Sequence, residues 1–258
     1  MLVLVGLMIG FALGVAGAGG SIVAVPALVL ALDLRPQDAM GISLGAVSAA
    51  AMVGVVLRRH DQSPAWKVAA SLAITGMATA PVGRWLANQF NEQFIVILFS
   101  LLAFYVARRM WRQAGASLDA TSESTLSYTE ANRGNGGPEH SVLVLLGAGV
   151  GLLAGFFGVG GGFLIVPLLR LYAGMQMERA ISTSLLVIAL IGSSGYLYHV
   201  LTTPRQDAWL LSVLAGASIT GILVGTAVSS RLSGPRLQQA FSGFVIAIMT
   251  FMLVKTFV

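Results

Sequence analysis

The 258-residue chain has no cysteine, only three histidines, and few charges: 10% of its residues against 56% that are hydrophobic. Without cysteine there are no disulfides, thiolate metal ligands or cysteine nucleophiles. His60, His140 and His199 are too scattered to hold a metal, so neither a metal nor another cofactor is expected. Soluble domains carry about 25% charged residues, so most of this surface does not meet water. The net charge of +5 is no nucleic-acid footprint, because the basic residues sit in short breaks between apolar runs and not along one polar face. With a mean hydropathy of +0.85, the chain reads as an all-α integral membrane protein whose first partner is the lipid bilayer. No oligomeric state is implied. A signal peptide's basic n-region is also missing: Asp33 is the first charged residue, and the first segment is expected to stay as a span.

About eight apolar runs of spanning length lie between the charged breaks: residues 2–32, 39–57, 68–82, 94–107, 142–169, 180–200, 208–230 and 237–254. The first and fifth are too long for one upright helix and are interrupted by glycines, so each is expected to be a broken or re-entrant helix. Residues 112–140 are rich in Ser, Thr, Asn, Gly and acids and read as a polar linker. They separate an N-terminal membrane repeat, residues 1–111, from a C-terminal one, residues 141–258.

The repeat can be counted. A shift of 141 positions aligns Gly6–Leu44 with Gly147–Leu185 without a gap, and 13 of the 39 pairs are identical. Six are glycines: Gly6, Gly10, Gly14, Gly17, Gly19 and Gly20 fall on Gly147, Gly151, Gly155, Gly158, Gly160 and Gly161. Pro26 falls on Pro167. Apolar composition alone does not place six glycines and a proline in register, so an internal repeat is read. Beyond this block, Gly83/Gly225 and Phe99-Ser100/Phe241-Ser242 fit a shift of 142.

Charge placement bears on how the halves face. If the chain crosses once at each long segment, nine basic residues gather on one side and six on the other. If it turns back at Gly17–Gly20 and Gly158–Gly162, the division becomes eleven to four. The second model matches the positive-inside rule better. It makes the repeats inverted, puts the linker in the cytoplasm, and leaves both termini outside the cell (inner) membrane.

Gly6, Gly10 and Gly14, like Gly147, Gly151 and Gly155, recur every four residues on one helix face, a helix-packing pattern. Gly160→Val or Gly161→Val is therefore expected to abolish transport with membrane expression kept, and Gly151→Ala to be milder. Gly17, Gly19, Gly20 with Ser21, and Gly158, Gly160, Gly161 with Gly162, break that spacing. Non-helical backbone at membrane depth survives only inside protein or beside a water-filled cavity, and glycine permits positive φ and close ligand approach. The helix that follows each turn begins with unpaired N–H groups of partial positive charge. Two such nests meeting near the midplane would form one oxyanion site. The next helix supplies hydroxyls: Ser43 aligns with Ser184, and Thr183 stands opposite Ile42. Such hydroxyls also bond their own helix carbonyls, so both roles stay open for Ser43, Thr183 and Ser184.

These residues carry a resemblance. Gly-Ala-Gly-Gly-Ser…Val-Pro in the first half, and Gly-Phe-Phe-Gly-Val-Gly-Gly-Gly-Phe…Val-Pro with Ala-Ile-Ser-Thr-Ser-Leu in the second, are similar to the TauE/SafE sulfite exporter family. The resemblance implies a multi-pass permease that moves sulfite or a related small anion such as an organosulfonate. Gly41-Ile42-Ser43 stands where the second half has Ser182-Thr183-Ser184, so the half-sites are not alike.

Proton coupling usually needs an ionisable residue inside the membrane. Every charged residue falls at a span end, in a loop or in the linker, so none is expected; Asp38 and His60 lie nearest to qualifying. Expelling an anion from a negative interior is downhill without a proton, by about 2.3 kcal/mol per charge per 100 mV. No enzyme is read, because no span brings acids, histidines and a nucleophile together. A cation-coupled carrier or importer using the same broken helices is the alternative.

Overall fold

A computed structural model describes residues 1–16, 21–58, 63–119, 140–159, 161–172, 175, 177–202, 208–229, 243, 246 and 250. Its helices are α1 (Leu2–Ala16), α2 (Ala24–Leu32), α3 (Pro36–Arg58), α4 (Trp66–Ala87), α5 (Glu92–Asp119), α6 (His140–Phe157), α7 (Gly162–Tyr172), α8 (Met177–Thr202) and α9 (Ala208–Ser229). There is no strand among the described residues. Among the described residues three helical stretches are long and apolar enough to cross a membrane: Pro36–Arg58, Glu178–Thr202 and Ala208–Val228. Large apolar side chains such as Val56, Ile74, Leu201 and Trp209 face outward, which suits a lipid surround and would be costly in water. α5 continues to Asp119, so the first residues of the polar 112–140 segment are helical. The apolar run at 237–254 lies almost entirely outside the described residues.

Glycine sets how closely these helices approach. A Cβ on Gly6, Gly10 or Gly14 of α1 would strike the carbonyls of Leu214, Ser218 or Ile222 of α9. On Gly147, Gly151 or Gly155 of α6 it would strike those of Leu72, Gly76 or Ala80 of α4. The neighbours return the contact: Gly225 lies against the Phe11 carbonyl and Gly83 against that of Leu152. With few polar side chains to join helices, close backbone packing supplies the van der Waals attraction. Gly151 is thus a packing position, and Gly151→Ala carries a structural cost of its own. The added methyl would meet the Gly76 backbone, which cannot swing aside as a side-chain tip can.

The same contacts give directions. Rising numbers on α1 meet rising numbers on α9, so the two run parallel, as do α6 and α4. α3 and α8 run antiparallel, with Gly41 against His199, Gly45 against Tyr196, Ser48 against Gly192 and Gly54 against Leu185. α3 runs with α9, through Gly45–Leu211 and Gly54–Ile222. α4 runs with α8, through Gly76–Ile191 and a 2.8 Å bond from Ser194 Oγ to the Met77 carbonyl. Hence α1, α3 and α9 point one way, and α4, α6 and α8 the other. α1 ends beside the end of α3, where Arg58 Nη2 donates to the Gly14 carbonyl at 2.8 Å. The chain must then return to Pro36, so α2 runs back against both. It stops at Asp33, which is left-handed (φ 49°), and Pro36 opens α3.

Candidate functional site

The second glycine turn is described except for Gly160. Gly158 and Gly161 both have φ 67°, in the left-handed region that costs other L-residues about 1–2 kcal/mol. Gly162 begins α7, whose first turn includes Leu164 N–H donating to the Gly161 carbonyl at 3.1 Å. Gly161 backs onto Val150 and Ala154 of α6, so the chain reverses here. Ile165, Leu168 and Leu169 of α7 then line a small apolar cavity with Leu143, Leu146 and Val150 of α6 and Leu72 of α4. On its other side, Gly158 lies against Met40 of α3, with no space for a Cβ. Val159 between them is fully buried.

Around Met40 sit groups that hydropathy did not mark. Arg84, near the end of α4, is only 3% exposed. Its Nη1 lies 3.5 Å from Met40 Sδ, and its Nη2 donates to the Gln37 carbonyl. The same Nη2 is 3.5 Å from Nδ1 of His199, itself 4% exposed and seated with its ring on Gly41. Among the described residues no carboxylate lies within 4.0 Å of Arg84; Asp38 bonds the exposed Arg35 instead, at 2.9 Å. Arg84 and His199 lie in the last turns of α4 and α8, at span ends as expected, but they are enclosed by protein. The apolar run was cut at Val82 because Arg84 is charged, yet α4 continues to Ala87. A signal was present: the shift of 142 that pairs Gly83 with Gly225 also sets Arg84 on Thr226, inside an unbroken apolar helix.

The remaining expected residues divide by their hydrogen bonds. Ser43 is fully buried, and its Oγ has no partner. Ser184 Oγ donates to the Ile181 carbonyl at 2.7 Å, and Thr183 Oγ1 to the Arg179 carbonyl at 2.7 Å. Thr183 also accepts the Ala65 N–H at 3.0 Å, tying the start of α4 to α8. Both hydroxyl protons thus go to their own helix. Ser21 is buried in the short turn leading into α2. Gly17, Gly19, Gly20 and Gly160 lie outside the described residues, as does His60.

The described flanks of the two turns lie apart along α3. Gly158 packs on Met40, near the start of α3, while the Gly14 carbonyl meets Arg58 at its end. Met40 to Arg58 is about 27 Å of helix at 1.5 Å per residue. α1 and α6 point in opposite directions, so their ends project toward opposite faces.

The family model for the sulfite exporter TauE/SafE matches residues 2–252. The chain belongs to the TauE/SafE family. It is 32% identical over 252 residues to a probable membrane transporter protein of Xylella fastidiosa, covering 95% of this chain and 91% of that protein. It is 25% identical over 253 residues to the probable membrane transporter protein YunE of Bacillus subtilis, covering 90% and 89%. A probable membrane transporter protein of Methanocaldococcus jannaschii, MJ0441, is 23% identical over 249 residues, covering 94% and 87%. No solved structure matches the chain significantly. Membership and the apolar helices together make this TauE/SafE chain a multi-pass membrane protein of a transporter family.

Proposed function

We propose that this protein exports sulfite or a related small sulfur-containing anion, such as an organosulfonate, across the cell (inner) membrane. The observation that carries the reading is the second turn of a TauE/SafE chain. Two left-handed glycines, Gly158 and Gly161, precede the buried start of α7, where a helix leaves its first N–H groups without partners in its own ladder. Such N–H groups favour an oxyanion over a cation. Gly158, Gly160, Gly161 and Gly162 are assigned to this nest, and Ser43, whose hydroxyl is buried without a partner, is assigned as a donor from α3. Gly17, Gly19, Gly20 and Ser21 are assigned the equivalent role toward the opposite face.

The halves are read as inverted repeats. A shift of 141 carries Gly6, Gly10 and Gly14 onto Gly147, Gly151 and Gly155, and one of 142 carries their neighbours Leu72, Gly76 and Ala80 onto Leu214, Ser218 and Ile222. Equivalent helices α1 and α6 point oppositely, as do α3 and α8, which an axis in the membrane plane produces. Arg58, Lys67, Arg170 and Arg179 then fall on the linker side, which supports a cytoplasmic linker.

The test is efflux from vesicles containing only this protein, loaded in turn with sulfite, methanesulfonate, chloride or sodium. Protein-dependent loss of the sulfur anions is expected. Sodium movement without anion movement would replace this reading with the cation-carrier alternative.

A further inference from the structure

We propose that Arg84 is the charged contact for the transported anion, reached from the side of the membrane opposite the 112–140 linker. The inference rests on the anion-export reading and adds to it the residue that carries the charge. A buried guanidinium is costly in a membrane protein unless an anion meets it. Among the described residues Arg84 has no carboxylate within 4.0 Å, and its neighbours are a carbonyl, a thioether and a histidine ring nitrogen. None of these carries a full negative charge.

The placement is as specific as the charge. Met40 touches both the Arg84 guanidinium and Gly158, so the cation and the second turn flank one residue. A planar guanidinium presents parallel N–H donors that match two oxygens of a sulfite or sulfonate. The turn contributes donors from the other side. Four elements close on this point: the start of α3 at Gln37, Met40 and Gly41; the end of α4 at Arg84; the second turn at Gly158; and the end of α8 at His199. At 3% exposure Arg84 is sealed, so an anion enters when these ends separate. The other face differs, since the same shifts set Thr226 at the place of Arg84 and Arg58 at that of His199. The buried cation at this end thus comes from α4, whereas the Arg35–Asp38 pair at the start of α3 lies nearer the surface.

The experiment uses wild type, Arg84→Lys and Arg84→Gln, purified in detergent and reconstituted in vesicles. Methanesulfonate is the probe, because its charge is constant near neutral pH. Binding is read from tryptophan fluorescence and efflux from the vesicles. Arg84→Gln is expected to weaken binding at least about tenfold and to raise the half-saturating concentration for efflux in parallel. Arg84→Lys keeps the charge and loses the fork, so it should fall between and discriminate less between methanesulfonate and chloride. Unchanged affinity in Arg84→Gln overturns the assignment while leaving anion export standing. A wild type that neither binds nor releases methanesulfonate or sulfite removes both. Should Arg84→Gln not purify as a single species, Arg84→Lys decides: unchanged methanesulfonate affinity and selectivity overturn the proposal.

Discussion

Gly151 of α6 sits on the backbone of Gly76 in α4, so close that even a methyl group has no space between them. Gly151→Ala must therefore push the helices apart along their shared length. A loss of about 1–3 kcal/mol is expected from overpacking of this kind, read as a lower thermal midpoint and a poorer yield of monodisperse protein. Gly10→Ala, against Ser218 of α9, should behave alike. Gly149→Ala and Gly216→Ala are the controls, since a Cβ at either meets nothing within 4 Å. Equal behaviour of all four would remove the backbone contact as the cause.

The turn substitutions separate shape from space. Gly161→Ala places a Cβ 2.8 Å from Val150 Cγ1 and forces a left-handed alanine. Membrane expression should survive, because the clash involves a side-chain tip, while transport falls sharply. Adding Val150→Ala removes the nearest contact and leaves the φ strain of about 1–2 kcal/mol, together with tight approaches to Ala154 Cβ and the Val150 carbonyl. Full recovery in the double variant would show that crowding, and not the left-handed backbone, made Gly161 necessary.

Hydroxyl partners predict different outcomes for two serines aligned in the repeat. Ser184→Ala removes a bond to its own helix and should change transport little. Ser43→Ala removes a buried hydroxyl with no partner, so stability should hold or rise slightly. Its half-saturating anion concentration should nevertheless increase, if Ser43 donates to the cargo. Identical transport in the two variants would take Ser43 out of the site.

How much of this was legible before the structure depends on what hydropathy can encode. α3, α8 and α9 are long apolar runs, so residues 39–57, 180–200 and 208–230 mark them within a few positions. α4 is different: the rule that ends a span at a charge cut it at Val82 and discarded Arg84, the group with most to say about cargo. Hydropathy assigns a residue to water or lipid and has no term for a charge enclosed by protein. Glycine crowding marked the left-handed positions Gly158 and Gly161 of the second turn, yet the depth of that turn depends on the direction of α6. Helix directions follow from pairs such as Gly10–Ser218 and Gly41–His199, which no single segment contains.

Those directions yield a topology test, and the absence of cysteine makes it clean. Lys67 begins α4 and Gln89 follows its end, so they belong on opposite sides. In intact cells, Gln89→Cys should react with an impermeant thiol reagent, whereas Lys67→Cys and Gly136→Cys should be protected until the membrane is permeabilised. A cysteine added after Val258 should also react. If Gly136→Cys and the cysteine after Val258 report the same side, the halves are parallel and the inverted arrangement fails.

The final expectation concerns the driving force, and the structure changes where to look for exceptions. With methanesulfonate inside vesicles and equal pH on both sides, an inside-negative potential should accelerate its loss. About 2.3 kcal/mol per charge per 100 mV corresponds to a nearly 50-fold concentration ratio at equilibrium. Collapsing a pH gradient at fixed potential should alter the rate little if the anion moves alone. Accumulation beyond that ratio, driven by a pH gradient, requires a titratable group that shares the cargo's path. His199 is the group in position, with Nδ1 3.5 Å from Arg84 and its ring against Gly41 at the start of α3. Asp38 is engaged by Arg35 near the surface, which places it behind His199 as a proton carrier. His199→Gln should then abolish the gradient-driven excess and leave the potential-driven flux. A gradient-driven excess that persists in His199→Gln would place the proton path elsewhere in the protein.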